Sequence, residues 1–263
     1  MNEDPDRLLL VVDVGNTNAV FGLFRGRTLI RDFRISTDAE RTADEYAALL
    51  LPLFEAAGLR VDSVEAVMVS SVVPTLNLNL EQLARRYFGV EALFVSPDLE
   101  TGMEIRYDHP EEVGADRVVN AVAARESHGS PVVAVDFGTA LTFDVVDVNG
   151  AYIGGVIAPG LGISAEALFA RASRLSKVEL RQPERILGSN TSEAIRAGLY
   201  YGYVGLVDGI LARLLEDLPE GCPVVATGGQ ASLIASGSVH IDSVDPDLTL
   251  RGLLLIYERS RRA

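Results

Sequence analysis

A chain of 263 residues that is 48% apolar, 23% charged and carries a formal charge of −14 has enough apolar residues for one large domain or two ordinary ones with sizeable cores. That negative balance excludes a broad nucleic-acid or anionic-membrane surface, and the single cysteine, Cys222, excludes an internal disulfide framework and suits a reducing cytoplasm. The three histidines make no ligand spacing with that cysteine, and the one lysine, Lys177, follows no glycine loop, so a zinc site, a P-loop and a protein-kinase strand lysine are all missing.

The opening "MNEDPDR" is acidic and polar, unlike the start of a signal peptide. "LLLVVDVGNTNAVFGLFRGRTLI" then reads as an apolar strand ending in Asp13-x-Gly15, a small polar turn, a second strand, a tight turn at Arg25-Gly26 and a third strand. A helix over "TADEYAALLLPLFEAAG" and a strand over "AVMVSSVVP" follow. "ADRVVNAVAARES" begins a linking helix, with Asp116 placed to cap it and thereby hold its own pKa low. "PVVAVDFGTALTFDVVDVNGAYIGG" repeats the opening unit, Asp136 answering Asp13, Gly138 answering Gly15 and Asn149-Gly150 answering Arg25-Gly26. The apolar stretch Ala151–Ala170 has the length of a membrane span, but its glycines, Pro159 and Glu166 predict buried strand and loop. Within it "GLGISA", from Gly160, matches a dinucleotide fingerprint that neither the preceding proline nor a βαβ unit supports.

Further on, Asn190 is placed to cap a long helix over "TSEAIRAGLYYGYVGLVDGILARLLEDL", with Glu193 reaching back. Gly198, Gly202, Gly205 and Gly209 fall on one stripe of that helix, which predicts close packing on another element of the chain, with a contact between two copies as the alternative. "VVATGGQASLIA" gives a last strand and a turn, "TGGQ", that either packs against an adenine or simply joins strand to helix. The fold expected is α/β and duplicated: residues 1–115, then 116–263 including the linking helix, each a mixed sheet with helices, with a cleft between the halves.

A glycine-rich turn between antiparallel strands points several backbone N–H groups at one spot, and such a nest cradles phosphate oxygens without a lysine. A carboxylate at the end of the preceding strand repels phosphate unless a divalent cation or its water lies between them. Asp13 is therefore a candidate ligand for Mg²⁺, directly or through water, although an aspartate that only shapes its own turn remains an alternative.

These residues carry a resemblance. "DVGNTN" and "DFGTALT" resemble the two phosphate motifs of the sugar kinase, actin and heat-shock-chaperone ATPase superfamily, whose halves are actin-like (ribonuclease H-like). With "SSVVP", "GADRVVNAVAA", "GGVIAPG", "NTSEAIRAGLYYG", "TGG" and "DPDLTLRGL" in order, the chain resembles type III pantothenate kinase, the family of the Bvg accessory factor. The resemblance implies a homodimeric cytoplasmic enzyme that uses ATP, Mg²⁺ and a monovalent cation, potassium or ammonium, to phosphorylate pantothenate to 4'-phosphopantothenate at the start of coenzyme A synthesis. It implies ATP contacts from Asp13, Val14, Gly15, Asn16, Thr17, Asn18, Ala19, Val20 and Thr139, a monovalent-cation ligand at Asp136, and pantothenate contacts from Tyr107, Gly114, Ala115, Asp116, Arg117 and Thr191. Asp116 would be the catalytic base or the group that orients the hydroxyl, and Arg117 offers a planar fork to a substrate carboxylate. The chain departs from the family's usual pattern at Leu141, where a second threonine is usual, and at "SK", Ser176-Lys177, where a proline is usual. The same fold acting on another small hydroxy acid, or a regulatory protein without turnover, are the rival readings.

Overall fold

The computed structural model describes residues 7–172 and 177–261; Ser176 and the end of the "RASRL" segment lie outside them. β1 (Leu8–Val14) is an apolar run broken only by Asp13, the pattern of a strand covered on both faces. It lies at the centre of a five-stranded sheet of order β3-β2-β1-β4-β5. β2 (Asn18–Arg25) and β3 (Thr28–Ser36) extend the sheet antiparallel on one side. β4 (Val64–Ser71) and β5 (Ala92–Phe94) extend it parallel on the other. Between β3 and β4 runs α1 (Ala43–Ala56), opened by a capping box in which Thr42 and Glu45 satisfy each other's backbone N–H groups.

The second sheet, β10-β9-β6-β7-β8, is the same walk read from the opposite edge: β6 (Val132–Phe137) is central, β7 (Ala140–Val146) and β8 (Tyr152–Pro159) follow antiparallel, and β9 (Val224–Gly228) and β10 (Ser243–Val244) lie parallel on its other side. The duplication extends to register. Asp13 pairs with Val20 and Ser70, and Asp136 pairs with Thr142 and Thr227.

Chain contacts group the protein into two units: Met1–Met103 with His109–Ala123 and Thr249–Ala263, and Glu104–Asp108 with Ala124–Leu248. In the first, the sheet face bearing Leu10, Val12 and Phe21 packs on Tyr46, Leu50 and Phe54 of α1 and on Leu80 of α2 (Asn77–Leu83). Its other face meets α7 (Leu248–Ser260), whose Leu250 touches the Gly22 position, and α7 in turn contacts α3 (Ala115–His128): a Cβ at Gly252 would lie 2.2 Å from the Val119 carbonyl oxygen. In the second, Val133, Val135 and Phe143 pack on Tyr200, Tyr203, Val207 and Leu211 of α5 (Thr191–Glu216). Each such side chain contributes roughly 1.5–3 kcal/mol on burial.

Three expectations are corrected. The stretch Ala151–Ala170 is a strand and a helix, not a strand and a loop: Pro159 and Gly160 end β8, and the good helix formers after them build α4 (Leu161–Arg171). Nor is it uniformly buried, because β8 is an edge strand whose residues alternate between core and solvent. At Gly198, Gly202 and Gly205 the glycine stripe of α5 does not pack on the described residues. Among the described residues nothing comes within 4 Å of a Cβ at Gly198, Gly202 or Gly205, since the tyrosines and valine of the opposite face bury the helix.

Candidate active site

The β1–β2 turn hangs from the carboxylate-bearing end of β1. Gly15 N–H donates to the Asn18 carbonyl at 3.0 Å, which closes the turn and leaves Asn16 and Thr17 exposed at its tip. Thr37, one residue past β3, fastens it from outside: its N–H donates to the Thr17 carbonyl at 2.9 Å and its Oγ1 to the Gly15 carbonyl at 2.7 Å. Val14, Ala19 and Val20 lie on the paired strands, Val14 and Ala19 buried, so they support the turn through backbone and packing. Asp13 is half-buried, and its register partner Ser70 is fully buried with a hydroxyl that finds no hydrogen-bond partner among the described residues.

The β6–β7 turn repeats this arrangement with one residue fewer. Gly138 N–H donates to the Ala140 carbonyl at 3.1 Å, and Gly160, one residue past β8, donates its N–H to the Thr139 carbonyl at 3.0 Å. The contact is too close for any side chain: a Cβ at Gly160 would stand 2.3 Å from the Thr139 oxygen and 2.4 Å from the Gly138 oxygen. Tyr203 of α5 fixes the same junction, its hydroxyl bonding to the carbonyls of Pro159 (2.9 Å) and Gly160 (3.0 Å) and to Ser164 Oγ (2.5 Å). Beside Asp136, Gly228 adopts φ +91°, and a Cβ there would lie 2.5 Å from Asp136 Oδ1. "TGGQ" thus joins strand to helix, and its first glycine packs its backbone against Asp136 and Phe137, where a side chain would not fit. Leu141, the departure from the usual threonine, is buried opposite Phe137.

Asp116 sits at the start of α3 but does not cap it. Gly114 takes the cap, its carbonyl accepting from the N–H groups of Arg117 (3.1 Å) and Val118 (3.2 Å), and Ala115 is the first helical residue. One position further in, Asp116 Oδ1 accepts from the Arg117 N–H at 2.9 Å. Its pKa is raised, not lowered: burial pushes the carboxyl above the ordinary carboxylate range, and the Arg117 N–H and guanidinium pull it only part of the way back. Gly114 is needed here for space, since a Cβ would stand 2.6 Å from Asp116 Oδ1. Arg117 is itself buried, 7% exposed.

In the second unit, Thr191 is the exposed first residue of α5. Asn190 Oδ1 caps the helix by accepting from Glu193 N–H at 3.0 Å, and Glu193 reaches back to the N–H of Ser189 at 2.8 Å, which lowers its pKa to about 2. Thr191 borders an open pocket of about 580 Å³ lined also by Leu168, Gly188, Asn190, Ala194 and Gly198. Tyr107 lies on the short segment Glu104–Asp108, against Tyr152 of β8.

In each unit a carboxylate at a strand end stands beside a glycine-containing turn, a setting that suits a phosphate group with its cation. Among the described residues no three His, Cys, Asp or Glu cluster as a cage. A Mg²⁺ ion needs no such cage, since one carboxylate, a substrate's phosphates and water suffice to hold it. The Ser70 hydroxyl, in register with Asp13 and without a hydrogen-bond partner among the described residues, is the chain's own fit to such an ion. Sequence reading missed Thr37, Ser70, Gly160 and Tyr203. The signal for Thr37 and Gly160 was the internal repeat, because each directly follows the third strand of its unit.

The sequence profile of type III pantothenate kinase matches residues 9–213. A type III pantothenate kinase from Geobacter sulfurreducens is 54% identical over 254 residues, covering 97% of this chain and all of that protein. Among solved structures, a Baf family protein from Campylobacter jejuni superposes with a TM-score of 0.59 at 19% identity, covering 97% of this chain and 100% of the other. The inorganic polyphosphate/ATP-glucomannokinase from Arthrobacter sp. strain KM superposes with a TM-score of 0.50 at 15% identity over 98% and 100% of the two chains. At these identities the superpositions speak for the fold, two actin-like α/β halves, while the sequence match reaches the family. The chain belongs to the type III pantothenate kinase family.

Proposed function

We propose that this protein transfers the γ-phosphoryl group of ATP to the primary hydroxyl of pantothenate, giving 4'-phosphopantothenate and ADP, the first step of coenzyme A synthesis. The observation that carries the mechanism is Asp116, a half-buried carboxyl whose pKa burial raises, at a helix start kept open by a glycine. Its free oxygen accepts a hydrogen bond from the pantothenate hydroxyl and takes the proton as the new O–P bond forms and the bond to the β-phosphate oxygen breaks. Because the transition state is loose, the proton leaves late, and orienting the hydroxyl is most of the residue's work.

Asp13 to Val20 and Thr139 line the ATP phosphates with backbone N–H and small polar groups. Asp13 would hold Mg²⁺ and Asp136 a potassium or ammonium ion; when bound, these ions offset negative charge on the phosphoryl oxygens. Tyr107, Gly114, Ala115, Arg117 and Thr191 are the pantothenate contacts, Arg117 pairing with the substrate carboxylate. The protein works as a homodimer in the cytoplasm, a reducing compartment that its single cysteine suits. The exposed glycine face of α5 supports the second copy, since glycine there lowers helix stability and the described residues do not pack on it at Gly198, Gly202 or Gly205.

The test is ATP-to-ADP turnover with Mg²⁺, with and without pantothenate, in potassium and in sodium buffer, with light scattering on the same preparation. Pantothenate-dependent ADP release that requires potassium, from a particle of twice the chain mass, is expected. Binding of ATP without turnover on pantothenate overturns the substrate assignment.

A further inference from the structure

Asp144 of β7 is fully buried between Phe143 and Val145, where a carboxyl is costly and an apolar residue would fill the space. Both its oxygens are engaged: Oδ1 accepts from the Tyr152 hydroxyl at 2.9 Å and Oδ2 from Thr142 Oγ1 at 3.2 Å. Tyr152, the first residue of β8, is itself fully buried and is tied at three points. Its hydroxyl is anchored on Asp144. Its backbone pairs with the segment Glu104–Asp108, Tyr152 N–H donating to the Glu104 carbonyl at 2.9 Å and Arg106 N–H to the Tyr152 carbonyl at 2.8 Å. Its ring meets that of Tyr107, with centroids 6.3 Å apart and planes tilted by 60°, while Tyr107 also lies 3.7 Å from the Cβ position of Gly154. On the solvent side Arg106 clamps the same segment to Asp147 at 3.0 Å.

A phenylalanine at 152 would keep the ring contact and the backbone pairing. What the hydroxyl adds is a fixed rotation of the ring, and the ring is what Tyr107 rests on. We propose that Tyr152, locked by Asp144, is a positioning residue that sets Tyr107 for pantothenate, and so governs affinity for that substrate without touching it. The proposal rests on the reading of Tyr107 as a substrate contact.

Steady-state kinetics of the full-length protein, Tyr107→Ala, Tyr152→Phe and the double variant test it, with KM measured separately for pantothenate and ATP. Tyr152→Phe should raise KM for pantothenate roughly fivefold, the effect of one lost hydrogen bond, and leave KM for ATP unchanged. Tyr107→Ala should raise it more, and the double variant should match Tyr107→Ala within about twofold, because Tyr152 acts through Tyr107. Multiplicative effects in the double variant, or equal changes in the two KM values, overturn the proposal while leaving Tyr107 as a contact. An unchanged KM for pantothenate in Tyr107→Ala overturns both. Should Tyr152→Phe fail to fold, Arg106→Gln loosens the same segment from the exposed side; it too should raise KM for pantothenate, and an unchanged value counts against the proposal.

Discussion

Gly114→Ala isolates how much catalysis depends on where the Asp116 carboxyl lies. Gly114 has no left-handed φ, so alanine suits its backbone and only the added methyl matters. That methyl would sit 2.6 Å from Asp116 Oδ1, whereas ordinary contact begins at 3.4 Å, so one of the two atoms must give way by about 0.8 Å. The carboxyl yields, because the methyl is fixed to the backbone at the cap of α3 while the carboxyl is the far end of a side chain, held by a hydrogen bond from the Arg117 N–H. A displacement near 1 Å of a group that orients a nucleophile lowers turnover by roughly 10²-fold. Alanine is also a poorer cap than glycine, which removes about 1 kcal/mol of stability, too little to unfold the protein. Initial-rate kinetics at saturating ATP and pantothenate, with a thermal melt alongside, separate the two effects. We expect kcat to fall by one to two orders of magnitude while KM for ATP stays within about twofold. A kcat within about threefold of the parent would show that the carboxyl's position is not what this glycine protects, and would remove the argument for Asp116 as the orienting group.

Asp116→Asn should abolish most turnover, by about 10²–10³-fold, and yet stabilise the protein at neutral pH. The raised pKa means that the folded state holds more protons than the unfolded state above the ordinary value of 3.8, so wild-type stability falls as pH rises through the folded pKa. The variant lacks that loss: its Tm should exceed the wild type's at pH 7 and converge with it below about pH 4, and parallel Tm curves across pH would refute the assignment. Gly160→Ala and Gly162→Ala make a matched pair two residues apart, the first just before α4 and the second in its first turn. The first forces a methyl against the Gly138 and Thr139 carbonyls and should raise KM for ATP at least about tenfold, while the second meets nothing within 4 Å and should gain about 0.5–1 kcal/mol in a denaturant melt. Equal behaviour of the two would mean that the phosphate turn does not lean on Gly160.

The central strands were legible because a continuous apolar run ending in Asp-x-Gly leaves little choice, and the repeat made the second copy confirm the first. The long helix α5 was legible from a cap followed by an acid three residues on, whereas the capping box of α1 went unread. β5 and β10 were not, since three and two residues carry no period. The glycine stripe of α5 showed that something is kept small without showing what for: periodicity names a face, and only packing tells whether that face is covered by the chain. Asp116 failed differently. Asp ahead of a helical run usually caps it, and here the glycine two residues earlier took the cap, turning a lowered pKa into a raised one through a shift of two positions.

The repeat also shows how two copies of one unit came to hold their turns by different means. Thr37 and Gly160 are equivalent, each the residue after the third strand, and each donates its N–H to the carbonyl of a threonine in the turn, Thr17 or Thr139, at 2.9 and 3.0 Å. In the first unit the chain continues through a loop to α1, so the position has room for a side chain, and a threonine hydroxyl adds a second bond to Gly15. In the second unit α4 starts at the very next residue, which brings the backbone against the turn and leaves space for no side chain at all. The second bond is then supplied from α5 by the Tyr203 hydroxyl, which fixes Gly160 in place of a local one. One backbone hydrogen bond is common to both copies, and the length of the following connection decides whether the residue that makes it is threonine or glycine.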